Sequence, residues 1–185
     1  SRADGIDFVA ITTPNDTHYD IARTFLEKGI HVICDKPVTS TVEQAKELKK
    51  LAEENNLCFA VTYSYHGYAM VRQAREMIEA GKIGEIVYVT TEYPQDWLLL
   101  GLRDEETRKK LWRIDPERAN GSLCTVDIGT HLESLIHAAT GLEITKVLAR
   151  FDNTVDGLPL ETNSNVMLQL SNGASGNLWR SEEHT

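Results

Sequence analysis

The chain has 185 residues, of which 41% are hydrophobic and 25% charged, with a formal net charge of −9. This is the size of one ordinary domain or two small ones. No apolar run approaches the roughly 18 residues of a membrane span. The acidic balance excludes a nucleic-acid surface, since phosphate binding needs a basic stripe.

The elements read in order as follows. Residues 7–13 form a short, nearly all-apolar strand of the kind buried on both faces, ended by Pro14-Asn15. A helix follows with Ile21, Ala22, Phe25 and Leu26 on one face and Gly29 as its stop. His31-Val32-Ile33-Cys34 is a second apolar strand, ending at Asp35-Lys36-Pro37. Ser40 with Glu43, or Thr41 with Gln44, fits a capping box. It opens a helix with Val42, Ala45, Leu48, Leu51 and Ala52 inward. Residues 58–63 form the third strand. Strand, helix, strand, helix, strand means parallel pairing with right-handed crossovers. Three such strands alone would leave an apolar edge bare, so an upstream part of the sheet is expected.

Residues 68–80 read as a helix with Met70, Val71, Ala74, Met77 and Ile78 inward. Residues 85–93 form a β-branched and aromatic strand. Residues 94–120 are a polar, Trp-bearing excursion with a short helix at 104–111. Residues 127–140 form a helix closed by Gly141. Residues 144–155 and 165–170 are strands, and Asn172-Gly173 turns a hairpin into residues 174–179. The last six residues, 180–185, match the in-frame translation of a common sequencing adapter. They are expected to be a non-native tail, so His184 carries no functional weight. The division expected is 1–63, 64–179 and that tail.

Two places carry chemistry. Lys36 stands at the carboxyl end of a parallel strand, where ligands of open α/β sheets bind, and Pro37 keeps it out of helical geometry. Asp127 and His131 are i and i+4 on one helix face. Imidazole suits general acid–base work, and a nearby carboxylate orients it and supports its charged form. Together these groups can move a proton on or off a hydroxyl. Each also has a plainer reading, as a surface lysine and as a helix-start carboxylate beside a core-edge histidine. His18, His66 and His137 carry less; His18, near the start of the first helix, has the plain reading of satisfying a local hydrogen bond. No spacing of His, Cys, Asp or Glu suggests a metal site. Cys34, Cys58 and Cys124 lack any CxxC pairing and read as reduced thiols, which points to the cytoplasm. Cys34, close to Lys36, is the one candidate reactive thiol, but nothing pairs it with a base.

Ile11-Thr12-Thr13-Pro14-Asn15-x-x-His18, Asp35-Lys36-Pro37 and Asp127-Ile128-Gly129-Thr130-His131, in that order, resemble the glucose–fructose oxidoreductase / inositol dehydrogenase / rhizopine-catabolism (Gfo/Idh/MocA) family. The resemblance covers residues 5 to 179. It implies the C-terminal half of a Rossmann parallel sheet, then an α/β domain with a large, mostly antiparallel open sheet through which family members form homodimers or homotetramers. It implies NAD or NADP as cofactor, bordered by Thr13, Pro14, Asn15, His18, Asp35, Lys36 and Pro37. It makes Lys36, Asp127 and His131 the catalytic set, and in relatives the bond corresponding to Lys36–Pro37 is often cis. The segments around Gln95, Asp96 and Trp97 and around Trp112 and Arg113 resemble a sugar- or polyol-acting subgroup, which makes those five the substrate-side candidates. The two tryptophans could equally serve only to pack the domain.

Three departures stand out. Asp35 replaces the family's usual Glu. Tyr63-Ser64-Tyr65-His66 stands where Tyr-Asn-x-Arg is frequent. Val126 stands at a common glycine. The Gly-rich phosphate loop and the residue that reads the adenosine ribose are absent, so this chain alone is expected to bind dinucleotide weakly or not at all. The reading is an NAD(P)-dependent oxidoreductase acting on a secondary alcohol of a sugar, sugar derivative or cyclitol. Its competitors are a non-catalytic NAD- and sugar-sensing regulator and an NAD-dependent glycosidase.

Overall fold

The computed structural model describes residues 5–119 and 121–182. They fall into two compact units, one of residues 5–62 with 117–119, the other of residues 63–116 with 121–182. Among the described residues no helix is long and apolar enough to cross a membrane.

The first unit has three parallel strands, β1 (Phe8–Ile11), β2 (His31–Cys34) and β3 (Phe59–Val61), side by side in that order. Helix α1 (His18–Leu26) follows β1 after a 3-10 turn at Asn15–Thr17, and α2 (Val42–Glu54) follows β2. Ile11, Ala22, Leu26, Val32, Cys34, Leu48 and Ala52 make the core. Leu26 and Leu48 are almost wholly buried, each contributing about 1.5–3 kcal/mol in transfer free energy. Of the two capping boxes read from sequence, only the Thr41 half of the second forms, and Gln44 Oε1 does not return the bond. The Thr41 hydroxyl accepts from the Gln44 N–H at 3.2 Å. Val42 is a correction. As the first residue after the cap it turns outward and is 63% exposed.

Residues 117–119 also depart from the sequence division. Ala119 is buried, and Arg118 Nε lies 3.7 Å from Asp16 Oδ2 at the start of α1.

The second unit begins with a 3-10 turn at Ser64–Gly67 and helix α3 (Ala69–Glu79). Strand β4 (Tyr88–Pro94) leads into α4 (Trp97–Leu102), α5 (Glu105–Lys110) and a 3-10 turn at Trp112–Ile114. Sequence reading missed α4, a six-residue helix with no side-chain cap. It found α5, whose Asp104 accepts from the Thr107 N–H at 2.7 Å. Next come a π turn at Thr125–Gly129 and α6 (Thr130–Thr140). Gly141, at φ 72°, ends α6 in the left-handed conformation that glycine adopts without strain.

Strands β5 (Ile144–Asp152), β6 (Asn163–Leu170) and β7 (Ser175–Ser181) complete a sheet of order β4-β7-β6-β5. The pairs β5–β6 and β6–β7 are antiparallel and β4–β7 is parallel. Period-two burial along β6 puts Val166, Leu168 and Leu170 in the core with Leu132, Ile136 and Leu178 and leaves Met167 64% exposed on the other face. Gly176 is required by close approach, since a Cβ there would lie 2.9 Å from the Val89 carbonyl oxygen. The inward set read for α3 needs correction. No residue of α3 is fully buried, and Met70 and Met77 are 71% and 44% exposed. Helix α3 packs on α6, and Met70, Val71 and Ala74 line an open groove with Leu135, Ile136 and Ala139.

Arg180 and Ser181, read from sequence as the start of a foreign tail, end β7, and the Arg180 side chain is buried against Glu182 and the Cys124 carbonyl. The rest of that segment, 183–185 with His184, lies outside the described residues.

All three cysteines are free thiols. Burial, with a smaller push from the Asp35 charge, raises the Cys34 thiol to about 12. Burial likewise raises that of Cys124 to about 12. Neither carries appreciable thiolate at neutral pH, so Cys34 is a packing residue rather than a nucleophile. Cys58 is exposed. Iodoacetamide should therefore label Cys58 in the folded protein, and Cys34 and Cys124 only after denaturation; rapid native labelling of Cys34 would contradict its placement.

Candidate active site

In the first unit the sequence-predicted residues gather at the carboxyl ends of β1 and β2. Thr13 is exposed, and Pro14 and Asn15 are half-buried. The Asp35 carboxylate accepts from the Lys36 N–H at 3.0 Å and from the Thr62 hydroxyl at 2.5 Å. This ties the β2 end to the segment after β3. The Lys36–Pro37 peptide is cis. His18 differs from the expectation of a cofactor neighbour. Its ring is fully buried, with Nδ1 2.8 Å from the Pro37 carbonyl oxygen and Nε2 2.9 Å from that of Thr13. Each nitrogen faces a backbone carbonyl, and the one that carries the N–H donates to it, so His18 is an internal brace. It joins the loop after β1 to the loop after β2, on which Lys36 sits.

The second unit brings together most of its predicted residues. His131, 7% exposed, opens α6, and Asp127 lies in the π turn before it. Turns of this kind are frequent at functional sites. Glu161 holds the start of this segment. Its carboxylate accepts from the Ser122 hydroxyl at 2.6 Å and from the N–H groups of Thr125 at 3.0 Å and Leu123 at 3.2 Å. Burial alone would raise the Glu161 carboxyl, but these hydrogen bonds outweigh it and hold the group below its ordinary value.

Arg113 Nε lies 3.4 Å from Asp127 Oδ1. Its guanidinium is 4.5 Å from the ring centroid of Trp112 and 5.7 Å from that of Trp97. Trp97, Trp112, Arg113 and Asp127 thus form one cluster, with the cation held by two indole faces and a carboxylate. Gln95 and Asp96 make other contacts. The Gln95 side-chain amide donates to Glu182 at 2.8 Å, and Asp96 is exposed before α4.

Sequence reasoning missed the aromatic wall beside His131. The Tyr65 ring lies 4.5 Å from that of His131, and Tyr63 meets it edge-on at 5.9 Å. His66 stacks on Tyr63 at 5.8 Å and shares a 2.5 Å hydrogen bond with the Ser134 hydroxyl. Tyr65 and Tyr93 share a hydroxyl–hydroxyl bond of 3.1 Å. The signal is the dense aromatic run 63–68, of which only 63–66 stands out in the sequence, as a departure from the family pattern. Among the described residues no three His, Cys, Asp or Glu side chains are grouped as for a metal ion.

Comparison with known proteins adds a decisive match. The model of the oxidoreductase family with NAD-binding Rossmann fold aligns with residues 1–63, and that of the GFO/IDH/MocA C-terminal domain with residues 71–184. The chain belongs to the Gfo/Idh/MocA family. Within it, an uncharacterized oxidoreductase of Bacillus subtilis (strain 168), YfiI, is 38% identical over 184 residues, 97% of this chain and 46% of that protein. An inositol dehydrogenase homolog from Azotobacter vinelandii, crystallised with NAD+, superposes with a TM-score of 0.89 at 36% identity, covering 98% of this chain and 47% of that one. Levoglucosan dehydrogenase, in complex with NADH and levoglucosan, superposes at 0.87 with 28% identity over 97% of this chain and 48% of that one. The chain spans about half the length of these Gfo/Idh/MocA relatives.

The residues present suit a nucleotide cofactor of the kind the family binds. A hydroxyl, an amide, a fixed carboxylate and an ammonium group lie at the carboxyl ends of parallel strands, where nucleotides bind open sheets.

Proposed function

We propose that the protein carrying this chain is an NAD(P)-dependent oxidoreductase acting on a secondary alcohol of a sugar, sugar derivative or cyclitol. The observation that carries this reading is the second unit's arrangement of a buried imidazole after Asp127, beside an aromatic wall and with an indole-held arginine on the same aspartate. When bound, the nicotinamide accepts or gives the hydride. His131 takes the proton of the substrate hydroxyl, and Asp127 orients the imidazole and supports its charge. Lys36 holds and polarises the reacting oxygen. Thr13, Pro14, Asn15, Asp35 and Pro37 border the cofactor, while His18 braces their loops. Trp97, Trp112 and Arg113 offer the flat and charged surfaces that suit a polyhydroxylated ring, with Gln95 and Asp96 as outer contacts. Nothing in this reading depends on residues after Trp179. A cytoplasmic homo-oligomer accords with the free thiols and with the open sheet face bearing exposed Leu148 and Met167.

The test is a panel of sugars, sugar derivatives and polyols offered to the full-length gene product with NAD+ and, separately, NADP+. Formation of reduced cofactor in step with oxidised sugar is the expected result. Cleavage of a nitrophenyl glycoside without net reduced cofactor would replace the proposal with the glycosidase reading, and cofactor binding without turnover across the panel with the sensor reading.

A further inference from the structure

We infer that Tyr65 is a positioning residue for His131, held in place by Tyr93; this rests on the dehydrogenase reading for its catalytic consequence but not for its geometry. The Tyr65–His131 pair, at 4.5 Å and a 41° tilt, is the closest ring pair among the described residues. Tyr63 closes a second side of the imidazole at an interplanar angle of 89°. Both tyrosines come from one short stretch around the Ser64–Gly67 turn, and that turn is itself tied to the helix it serves. His66 bonds Ser134, which lies on α6 one turn beyond His131. The seat and the seated ring are therefore fastened to each other at two points.

Tyr65 has limited freedom to swing away. Its hydroxyl shares a hydrogen bond with that of Tyr93 on β4, the two rings stack at 6.1 Å and 26°, and Tyr68 packs on its other side at 5.5 Å. The bond to Tyr93 first, then burial, pushes the Tyr65 hydroxyl up to about 12. It stays neutral across any ordinary working range and places no phenolate beside the imidazole. A side chain held this way restricts rotation of the imidazole and keeps water off its face. That is what a base needs to meet a hydroxyl in one orientation. The two departures from the common family pattern, Ser64 and His66, flank Tyr65, and His66 ties the turn to α6.

The experiment compares Tyr65→Ala, Tyr65→Leu, Tyr65→Phe and Tyr93→Phe in the full-length protein. One readout is the His131 Hε1 resonance, assigned by its loss in His131→Gln; the other is kcat and KM. In wild type an aromatic ring this close shifts Hε1 by its ring current. Tyr65→Ala and Tyr65→Leu should abolish that displacement and lower kcat by about 10- to 100-fold, the scale of a misplaced catalytic group. KM for the alcohol should change by less than about threefold, because the interaction acts on chemistry rather than on binding. Tyr65→Phe keeps the ring and should restore most of both. Tyr93→Phe should match Tyr65→Phe, and the double variant should add little, since both remove one shared bond.

An unchanged resonance and kcat in the soluble Tyr65→Leu protein would overturn the inference. So would a Tyr65→Phe variant as impaired as Tyr65→Leu. If the wild type turns over no alcohol, the dehydrogenase reading fails by itself, and the resonance still decides whether Tyr65 seats His131.

Discussion

His131→Gln in the full-length protein should lower kcat for alcohol oxidation by about 100-fold or more, the range expected when a general base is removed. Glutamine keeps much of the volume and some hydrogen-bonding capacity, so the pocket among Tyr63 and Tyr65 should not collapse. Circular dichroism and thermal melting should stay close to wild type. What is lost is the imidazole that faces Tyr65. A variant that retains its rate would remove His131 from the chemistry and return it to the role of a core-edge residue.

Lys36→Met should cost a comparable factor, about 100-fold in kcat, for a different reason. The main chain at this position is anchored independently of the side chain. The Asp35 carboxylate takes its N–H, and the next carbonyl faces the buried His18 ring. Methionine should therefore leave the backbone in place and delete only the ammonium. The loss should appear in both directions of the reaction, because a cation on the reacting oxygen favours the alkoxide-like transition state from either side. Cofactor affinity should move less than kcat. Near-normal turnover in Lys36→Met would end the assignment, and a loss confined to cofactor KM would make Lys36 a binding residue only.

Strand β2 was legible residue for residue because its apolar run is bounded by glycine upstream and by Asp35-Lys36-Pro37 downstream. The cap of α2 was legible as chemistry, and the structure chose between two overlapping boxes. Helix α4 was missed because Trp97-Leu-Leu-Leu-Gly-Leu102 has neither a cap nor enough turns to show a period. The inward face of α3 was over-read, since periodicity reports which side is apolar and not how much of it a neighbour covers.

In the site, the cluster of Trp97, Trp112, Arg113 and Asp127 joined residues already singled out. The seat of His131 could not be seen, because it depends on a turn at 64–67 meeting a helix that begins at 130. His18 has a local hydrogen-bonding role from its place in the chain and a cofactor-bordering one from the resemblance, and its buried ring serves the first. One sequence shows that a histidine follows a strand, but not that both its nitrogens face inward.

The parallel seam between β4 and β7 has a consequence for how the chain reaches its final state. Tyr88 pairs with Ser175 and Pro94 with Ser181, so the partner of β4 leaves the ribosome only after α4, α5, α6, β5 and β6 have been made. Hairpin pairing of β6 with β7 is local and fast, but docking β4 against β7 closes a long loop and belongs to the slow class of non-local contacts. During synthesis β4 therefore waits with an unmet backbone edge and depends on other factors to stay soluble. Nascent chains halted before Ser175 should bind chaperones strongly, and release should coincide with emergence of β7.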